Sequence, residues 1–378
     1  MIHPLLQTYG PLDGWMILLI MASVSGGFFA YQVQKATRLV LIGSPDSRFD
    51  SWGPRVREFV VGWLGQKKVL RDRVAGTMHV LMFWGFLMLA SDMFDLATAN
   101  YFSRELLPEF IVGPWNGMVE LGYTMALIGC VAALVRRVAF TPEKLKGKSQ
   151  LEGNVILLLI FTITTTSFMI ESKEDPSPFW EPIGHQFSEI GLSDRTVVVS
   201  YWLHMLAISV FLFLIPLSKH MHLVMAVPNV FFHDTGPAAK MRPLAVGEDG
   251  KAVPLEELDI DSFGVSSYTQ YTWRQLIDGW SCTSCARCQD VCPAYASGKG
   301  LNPMQVIHDV RDYANEHAPL LLSGENPEET MMQRITEEAV WACTTCNACV
   351  DVCPLYIEHV PKLTDLRRNA MMETMEYP

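Results

Sequence analysis

Charge is scarce in this chain. Of its 378 residues 18% are charged and 49% are hydrophobic, and the mean hydropathy is +0.18. A wholly water-exposed domain carries more charge, so the deficit points to membrane spans. Positive charge is the scarcer sign. Lys and Arg number 29 against 40 Asp and Glu, and the net charge of −11 argues against nucleic acid as a partner. No Lys or Arg precedes the first apolar run, Trp15 to Tyr31, so the cationic start of a signal peptide is lacking and the run reads as a retained span. No nucleotide-binding motif and no nucleophile constellation is present. Outside two clusters there is one cysteine, Cys130, which lies in an apolar run and reads as a packing residue.

The remaining eight cysteines form two tetrads, Cys282, Cys285, Cys288 and Cys292, then Cys343, Cys346, Cys349 and Cys353. Each reads C-x2-C-x2-C-x3-C-P, the spacing of bacterial two-cluster ferredoxins. Three cysteines on a tight turn converge on one [4Fe-4S] cubane, and the fourth ligates the other cluster. Cluster 1 then takes Cys282, Cys285, Cys288 and Cys353, and cluster 2 takes Cys343, Cys346, Cys349 and Cys292. Disulfides would need an oxidising compartment and give no reason for a doubled tetrad. Structural zinc uses paired ligands rather than this spacing. Such clusters call for a reducing compartment, so the C-terminal third should face the cytoplasm.

Five apolar runs predict transmembrane helices at about 15–31, 76–96, 116–135, 154–170 and 197–227. Gly26 and Gly27 in the first suggest close helix packing. Residues 32–75 carry nine Lys and Arg, among them Arg48, Arg55 and Lys68, and Arg136, Arg137, Lys144, Lys146 and Lys148 follow the third run. The positive-inside rule puts both segments in the cytoplasm, with the N-terminus and the acidic 171–196 loop outside. Five spans starting outside deliver residue 230 onward to the cytoplasm, the side that the cysteines demand. The expected organisation is all-α: a five-span membrane domain over 1–232, a linker or strap over 233–270, and a helical two-cluster domain over 271–378. Between the tetrads, Asn302–Ala318 and Pro327–Trp341 read as helices.

Four of the ten histidines lie within or at the ends of apolar runs, where a polar side chain marks a functional site. His79 and His222 sit at cytoplasmic ends of the second and fifth runs, at a shared depth that suits bis-histidine ligation of haem b. Capping or headgroup contact is the plainer role. His220, beside Lys219, is the alternative to His222 and reads as interfacial. His204 is 18 residues before His222, about 27 Å and five full turns on one helix. Leu89 stands on the second run where a second ligand would be expected. His204 therefore takes an unexpected partner ligand in a second haem, or serves quinone or proton chemistry. Asp92, Asp95, Glu120 and Glu171 are quinone or proton candidates by position, and solvated interfacial acids otherwise. His3, His185, His233, His308, His317 and His359 lie outside the bundle as surface or packing residues.

The membrane half resembles the five-helix cytochrome b of the nitrate reductase gamma subunit family, in which the second and fifth helices supply the haem ligands. His79, His204 and His222 carry that resemblance, and the chain departs from it at Leu89. The C-terminal half resembles the iron–sulfur C-type subunit of heterodisulfide reductase. Its cues are the tetrads, Gly298 to Pro303 after the first, and Trp341 to Cys346 at the second. Similar fusions occur in electron-transfer-flavoprotein:menaquinone oxidoreductases, which continue into a cysteine-rich CCG domain. That motif does not occur here.

The resemblances imply a multi-pass subunit of the cytoplasmic (inner) membrane that relays electrons between quinone, of the menaquinone type, one or two haems b, two [4Fe-4S] clusters and a cytoplasmic heterodisulfide-reductase-like partner bearing iron–sulfur clusters or flavin. The partner should approach the segments around Arg287 and Asn347. Three rivals remain: a truncated or split electron-transfer-flavoprotein:menaquinone oxidoreductase, a self-contained enzyme acting on a small substrate, and a structural membrane anchor.

Overall fold

The structure is a computed structural model, and it describes residues 3–97, 108–140, 148–236, 243–244, 253, 263–375 and 377–378. The basic turn 141–147, the loop 98–107 and most of the linker 237–262 lie outside the described residues. A two-residue hairpin, β1 (Thr8–Tyr9) and β2 (Leu12–Asp13), precedes α1 (Gly14–Leu41). α2 (Trp52–Phe59) runs into a π-helical turn, Val60–Leu64. α3 (Arg73–Ala97), α4 (Glu109–Ala139), α5 (Lys148–Glu171), the short α6 (Pro182–Ile190) and α7 (Asp194–Leu217) follow, and then α8 (His222–Phe231). α9 (Trp273–Ser281), α10 (Arg287–Asp290) and α11 (Pro293–Ala296) surround the first tetrad. α12 (Pro303–Glu316), α13 (Ala318–Ser323), α14 (Met331–Ile335) and α15 (Glu337–Ala342) lead to the second, which continues into α16 (Ala348–Val352) and α17 (His359–Asn369).

Five helices among the described residues are long and apolar enough to cross a membrane: Gly14–Leu41, Arg73–Ser91, Phe110–Ala139, Gln150–Glu171 and Asp194–Leu217. The fifth stops ten residues short of the expected end. Pro216 lacks the amide hydrogen that would continue the ladder. Ser218 is extended (φ −130°, ψ 175°), and its hydroxyl accepts from the His220 amide at 3.1 Å, starting a new turn. His222 thus opens α8 instead of closing the fifth span, and the reckoning of 18 residues on one helix does not apply. The predicted helix Pro327–Trp341 is also divided, because Thr336 takes φ +77° and caps α15.

The chain forms two compact units, Met1–Ala30 with Val69–Ile215, and Tyr31–Lys68 with Pro216–Pro378. The boundary read from the sequence at 232/233 therefore falls inside the second unit.

In the first unit, α3 and α4 meet at glycines. A Cβ on Gly122 would stand 2.7 Å from the Met88 Cβ, and one on Gly85 or Gly129 would meet backbone oxygen at 2.7 and 2.8 Å. Small residues allow this approach. Gly26 and Gly27 do not serve it, because nothing lies within 4 Å of a Cβ built there. In α5 the hydroxyls of Thr162, Thr164, Thr166 and Ser167 donate back to carbonyls one turn earlier. Polar side chains are satisfied within the helix, as an apolar surrounding requires. Cys130 is fully buried, and its thiol donates to Leu157 O at 3.0 Å.

In the second unit, the end of α1 joins the core of the cysteine-bearing part. Ala36, Leu39 and Val40 pack with Met221, Met225, Tyr268, Tyr271, Leu276, Ile277 and Trp280. The Tyr268 hydroxyl donates to Leu39 O at 3.1 Å. Ser44 bridges to Thr272 in parallel, with Ser44 N donating to Tyr271 O and Trp273 N to Ser44 O. The residues 263–270 of the linker are thus core rather than a surface strap, with Val265 and Tyr268 buried.

Candidate cluster and haem sites

The two tetrads adopt the same backbone. Each first cysteine ends a helix in extended geometry, Cys282 at φ −67°, ψ 123° and Cys343 at φ −69°, ψ 124°. Two left-handed residues then turn each loop, Ser284 and Ala286 (φ 55° and 60°), and Thr345 and Asn347 (φ 54° and 59°). Such conformations are costly for residues with a Cβ, and they persist where the surroundings fix them. Here they aim amide hydrogens inward: Thr345 N donates to Cys343 Sγ at 3.4 Å, and Ser284 N serves Cys282 in the same way.

A small cavity is lined by Cys343, Cys346, Cys349 and Cys292, with Leu301, Pro303, Val360 and Leu363 as its apolar walls. The fourth cysteine of the first tetrad therefore sits with the first three of the second. Reciprocally, Cys353 packs with Cys282, and its thiol is perturbed by Cys285 and Cys282. Burial first, and neighbouring thiols second, push Cys349 and Cys353 up to about 12, and burial pushes Cys282 to about 11. A ligand must lose this proton, so the positive charge of iron is what would hold these buried sulfurs as thiolates. Among the described residues no three His, Cys, Asp or Glu side chains could share one metal ion. A cubane places each thiolate on a different iron, so a set of four cysteines around one apolar cavity fits a cluster rather than a single ion.

The sequence marks His308 as an ordinary histidine, but its Nε2 lies 3.6 Å from Cys282 Sγ and 3.1 Å from Ser284 Oγ. Burial, then Arg311, pushes its pKa down to about 4, so it is a neutral imidazole at ordinary pH. Nothing in its local sequence singles it out, since α12 brings it from 26 residues away. His359 is buried and lines the cavity of the second tetrad, with Nδ1 against Ile357 O.

A charged network secures this part. Arg274, Asp278 and Lys362 are completely buried. Arg274 donates to Asp278 and Asn229 at 2.8 Å, and to Phe232 O and Tyr356 O at 3.0 Å, and Lys362 meets Asp278 at 2.5 Å. Burial alone would raise the Asp278 carboxyl, but Lys362 and Arg274 hold it below the ordinary carboxylate range. Arg48 pairs with Asp46 and Glu358, and Arg55 donates to Phe231 O and His233 O. His233 is bonded to Glu58 and to Val230 O. Two of the nine basic residues expected on the membrane-facing connection are thus interior ties. Lys68 lies 3.8 Å over the Tyr356 ring and reaches Val350 O, and its own carbonyl accepts from Arg287 at 2.9 Å. Arg287 is half-buried, and Cys285 and Asp290 beside it are exposed. Near Asn347, Thr344 and Cys346 are exposed.

The histidines of the apolar runs divide by their ring nitrogens. His222 Nδ1 lies 2.8 Å from Lys219 O, and His204 Nδ1 lies 3.1 Å from Ile163 O and 3.0 Å from Thr166 Oγ1. A proton on Nδ1 directed at a carbonyl leaves Nε2 as the lone-pair nitrogen, the arrangement of an iron-ligating imidazole. His220 instead faces the Ser218 hydroxyl through Nδ1, in the turn that starts α8. His79 is half-buried on α3, with its ring 6.4 Å from that of Phe83 at 15°. Leu89 is buried in an apolar cluster. His3 is not outside the bundle, because its ring packs on Tyr201 of α7.

Two of the four candidate acids meet at the start of α6. Glu120 is 3% exposed, so it is not a solvated acid, and its carboxylate accepts from the amides of Ile183 and Gly184 at 3.0 and 2.7 Å. It caps the start of α6, whose first amides need an acceptor. Glu171 stands at the same glycine, with its Oε2 3.2 Å from a Cβ built on Gly184. The side chains of Asp92 and Asp95 lie outside the described residues.

Residues 274–354 match the family described as 4Fe-4S dicluster domain. The chain is 29% identical to the EtfAB:quinone oxidoreductase of Syntrophomonas wolfei over 96% of its length and 55% of that protein's. It is 27% identical to the probable iron-sulfur-binding oxidoreductase FadF of Bacillus subtilis over 94% of its length and 56% of that protein's. A Ferredoxin:CoB-CoM heterodisulfide reductase subunit of Methanosarcina mazei is 32% identical over 27% of this chain and 52% of the subunit. The chain thus spans about half the length of the curated relatives it matches. No solved structure matches it. What these similarities establish is a helical chain with five membrane-span candidates and a ferredoxin-like 4Fe-4S dicluster domain, related to quinone oxidoreductases of the EtfAB type and to heterodisulfide reductase subunits.

Proposed function

We propose that the chain is the membrane-bound electron-transfer subunit of an oxidoreductase complex. It links a quinone pool, of the menaquinone type, through haem b and two [4Fe-4S] clusters to a cytoplasmic partner of the heterodisulfide reductase type. Bound haem and clusters supply single-electron steps between a two-electron quinone and that partner. The protein's task is to space and tune them. Cluster 1 is held by Cys282, Cys285, Cys288 and Cys353, and cluster 2 by Cys343, Cys346, Cys349 and Cys292. His79 and His222 hold the haem. His204 holds a second haem or serves the quinone.

The observation that carries this reading is the tie between α8 and α9. Ser281, immediately before Cys282, donates to Met225 O at 3.1 Å, three residues after His222. The helix with the candidate haem ligand and the helix that delivers the first cluster ligand are packed together, which supports a short path between the two cofactors. Cys285 and Cys346, the second cysteine of each tetrad, are both exposed, which favours this face of the cluster domain as the contact with the partner. The basic connections and the oxygen-sensitive cofactors favour a cytoplasmic position for the cluster domain in the cell's inner membrane.

Spectroscopy of the purified full chain tests this. Reduced protein should show a haem α-band that His222→Ala removes, or halves where His204 holds a second haem, together with about eight iron and eight sulfide atoms from the clusters. A chain with clusters and no haem in any preparation overturns the haem step and leaves an iron–sulfur anchor. A second reading, a split or truncated EtfAB:quinone oxidoreductase, is favoured by the similarity over 96% of this chain. A native polypeptide clearly heavier than 42.5 kDa would establish it.

A further inference from the structure

In the first unit, α7 carries two neighbouring buried polar atoms that the fold does not use. Tyr201 is fully buried, and neither its hydroxyl nor the Trp202 indole Nε1 has a hydrogen-bond partner among the described residues. An unmet buried donor costs about 1–3 kcal/mol, so one at each of two consecutive residues calls for a ligand. Water is a poor candidate within an apolar span, and the surroundings are apolar: Leu5, Leu18, Met21, Ile170 and Met205 pack here.

The shape around these donors is specific. The N-terminal segment brings two more rings to α7. His3 stands 5.2 Å from Tyr201 at 81°, Tyr201 stands 5.3 Å from Trp202 at 90°, and Tyr9 stands 5.4 Å from Trp202 at 89°. Edge-to-face rings at these spacings touch one another, so the four aromatics form one contiguous apolar face beside the two donors, and ligand sites combine such faces with a few polar groups. The hairpin β1–β2, turned by Gly10 at φ +64°, folds this segment back. Tyr201 is also one turn from His204 on the same face of α7. A ligand for this place must be apolar enough to enter from the bilayer, planar, and equipped with acceptor oxygens. A lipid phosphate would ask for cations rather than neutral donors.

We propose that Tyr201 and Trp202, walled by His3 and Tyr9, bind the ring of a membrane quinone, with Tyr201 Oη and Trp202 Nε1 donating to its carbonyl oxygens. This rests on the electron-transfer reading above, which supplies the ligand class, and it moves the quinone from Glu120, whose carboxylate is engaged by α6, to a neutral aromatic site.

The test uses the detergent-solubilised full chain with its clusters loaded and menadione as probe. Affinity is read from the dependence of melting temperature on menadione concentration. Tyr201→Phe and Trp202→Phe should each weaken binding about three- to tenfold, the effect of one hydrogen bond. Without menadione, Tyr201→Phe should melt at the same temperature or higher, because it removes an unmet hydroxyl. Menadione binding that is equal in the wild type and both variants overturns this placement and leaves the quinone reading intact. A wild-type protein that does not bind menadione overturns both. A quinone-free Tyr201→Phe protein that melts lower shows that the hydroxyl is already satisfied in the resting protein, and also overturns the placement.

Discussion

The two units satisfy their polar groups in opposite ways. In the first, hydroxyls on α5 return to their own helix, Glu120 closes one helix end, and helices meet through glycines. In the second, full charges are buried and tie distant segments together, as Arg274 does for α8, α9 and the tail behind Cys353. The first solution suits an apolar solvent, where every unpaired group is costly. The second suits a domain whose four-cysteine sites draw on segments far apart, so that the segments must be fixed in register before the thiols can share a cluster. Buried ion pairs are a weak source of net stability and a strong source of damage when half is removed.

This comparison can be broken first at the cysteines. Cys353→Ser should remove the cluster built on the first tetrad while leaving the spans folded. Iron and acid-labile sulfide should fall by about half. Full iron content would mean that Cys353 ligates nothing there. The buried network comes next. Asp278→Asn leaves Lys362 and Arg274 without their shared carboxylate and should cost the second unit about 3–5 kcal/mol. The same carboxyl gives an acid limit. Its pKa is depressed in the fold, so its stabilisation is present above the ordinary carboxylate range, near pH 4, and is lost as pH falls through the lower folded value. Urea unfolding of the wild type at pH 7 and at about pH 2, beside the variant at pH 7, measures both.

Smaller effects follow. Gly122→Ala forces a Cβ against Met88 and should cost the first unit about 1–3 kcal/mol without altering cluster content. Equal damage to both units from either substitution would end the contrast. The smallest change is expected at His308. His308→Phe removes a polar contact to Cys282 Sγ, and hydrogen bonds to cluster sulfur raise the potential. One cluster should become harder to reduce in an EPR-monitored titration, while the melting temperature holds.

How much is legible in the sequence depends on the range of the signal. The tetrads are local patterns, and spacing alone singles them out. The spans are averages over about 20 residues, and four of the five expected runs lie within observed helices. The fifth fails because one proline and one serine decide where a helix stops, and a hydropathy average passes over them. Arg48 and Arg55 carry no mark that separates a buried tie from a headgroup contact, since the partners that bury them, Glu358 and the carbonyls of Phe231 and His233, lie more than a hundred residues away. His308 escapes notice because its partner, Cys282, is also brought to it by the fold. Gly26 and Gly27 look as suited to packing as Gly122 and Gly129. Only the position of the neighbouring helix distinguishes them.

The central claim is that electrons pass between quinone and clusters by way of the histidines in the membrane part. Proteoliposomes holding the full chain and menaquinone, prereduced by dithionite and freed of reductant, test it most directly. Oxidising the menaquinone pool should reoxidise both clusters in the wild type, followed by loss of their reduced EPR signals. In His79→Ala, with clusters intact and haem absent, the clusters should stay reduced. Reoxidation at the wild-type rate in that variant would contradict the account.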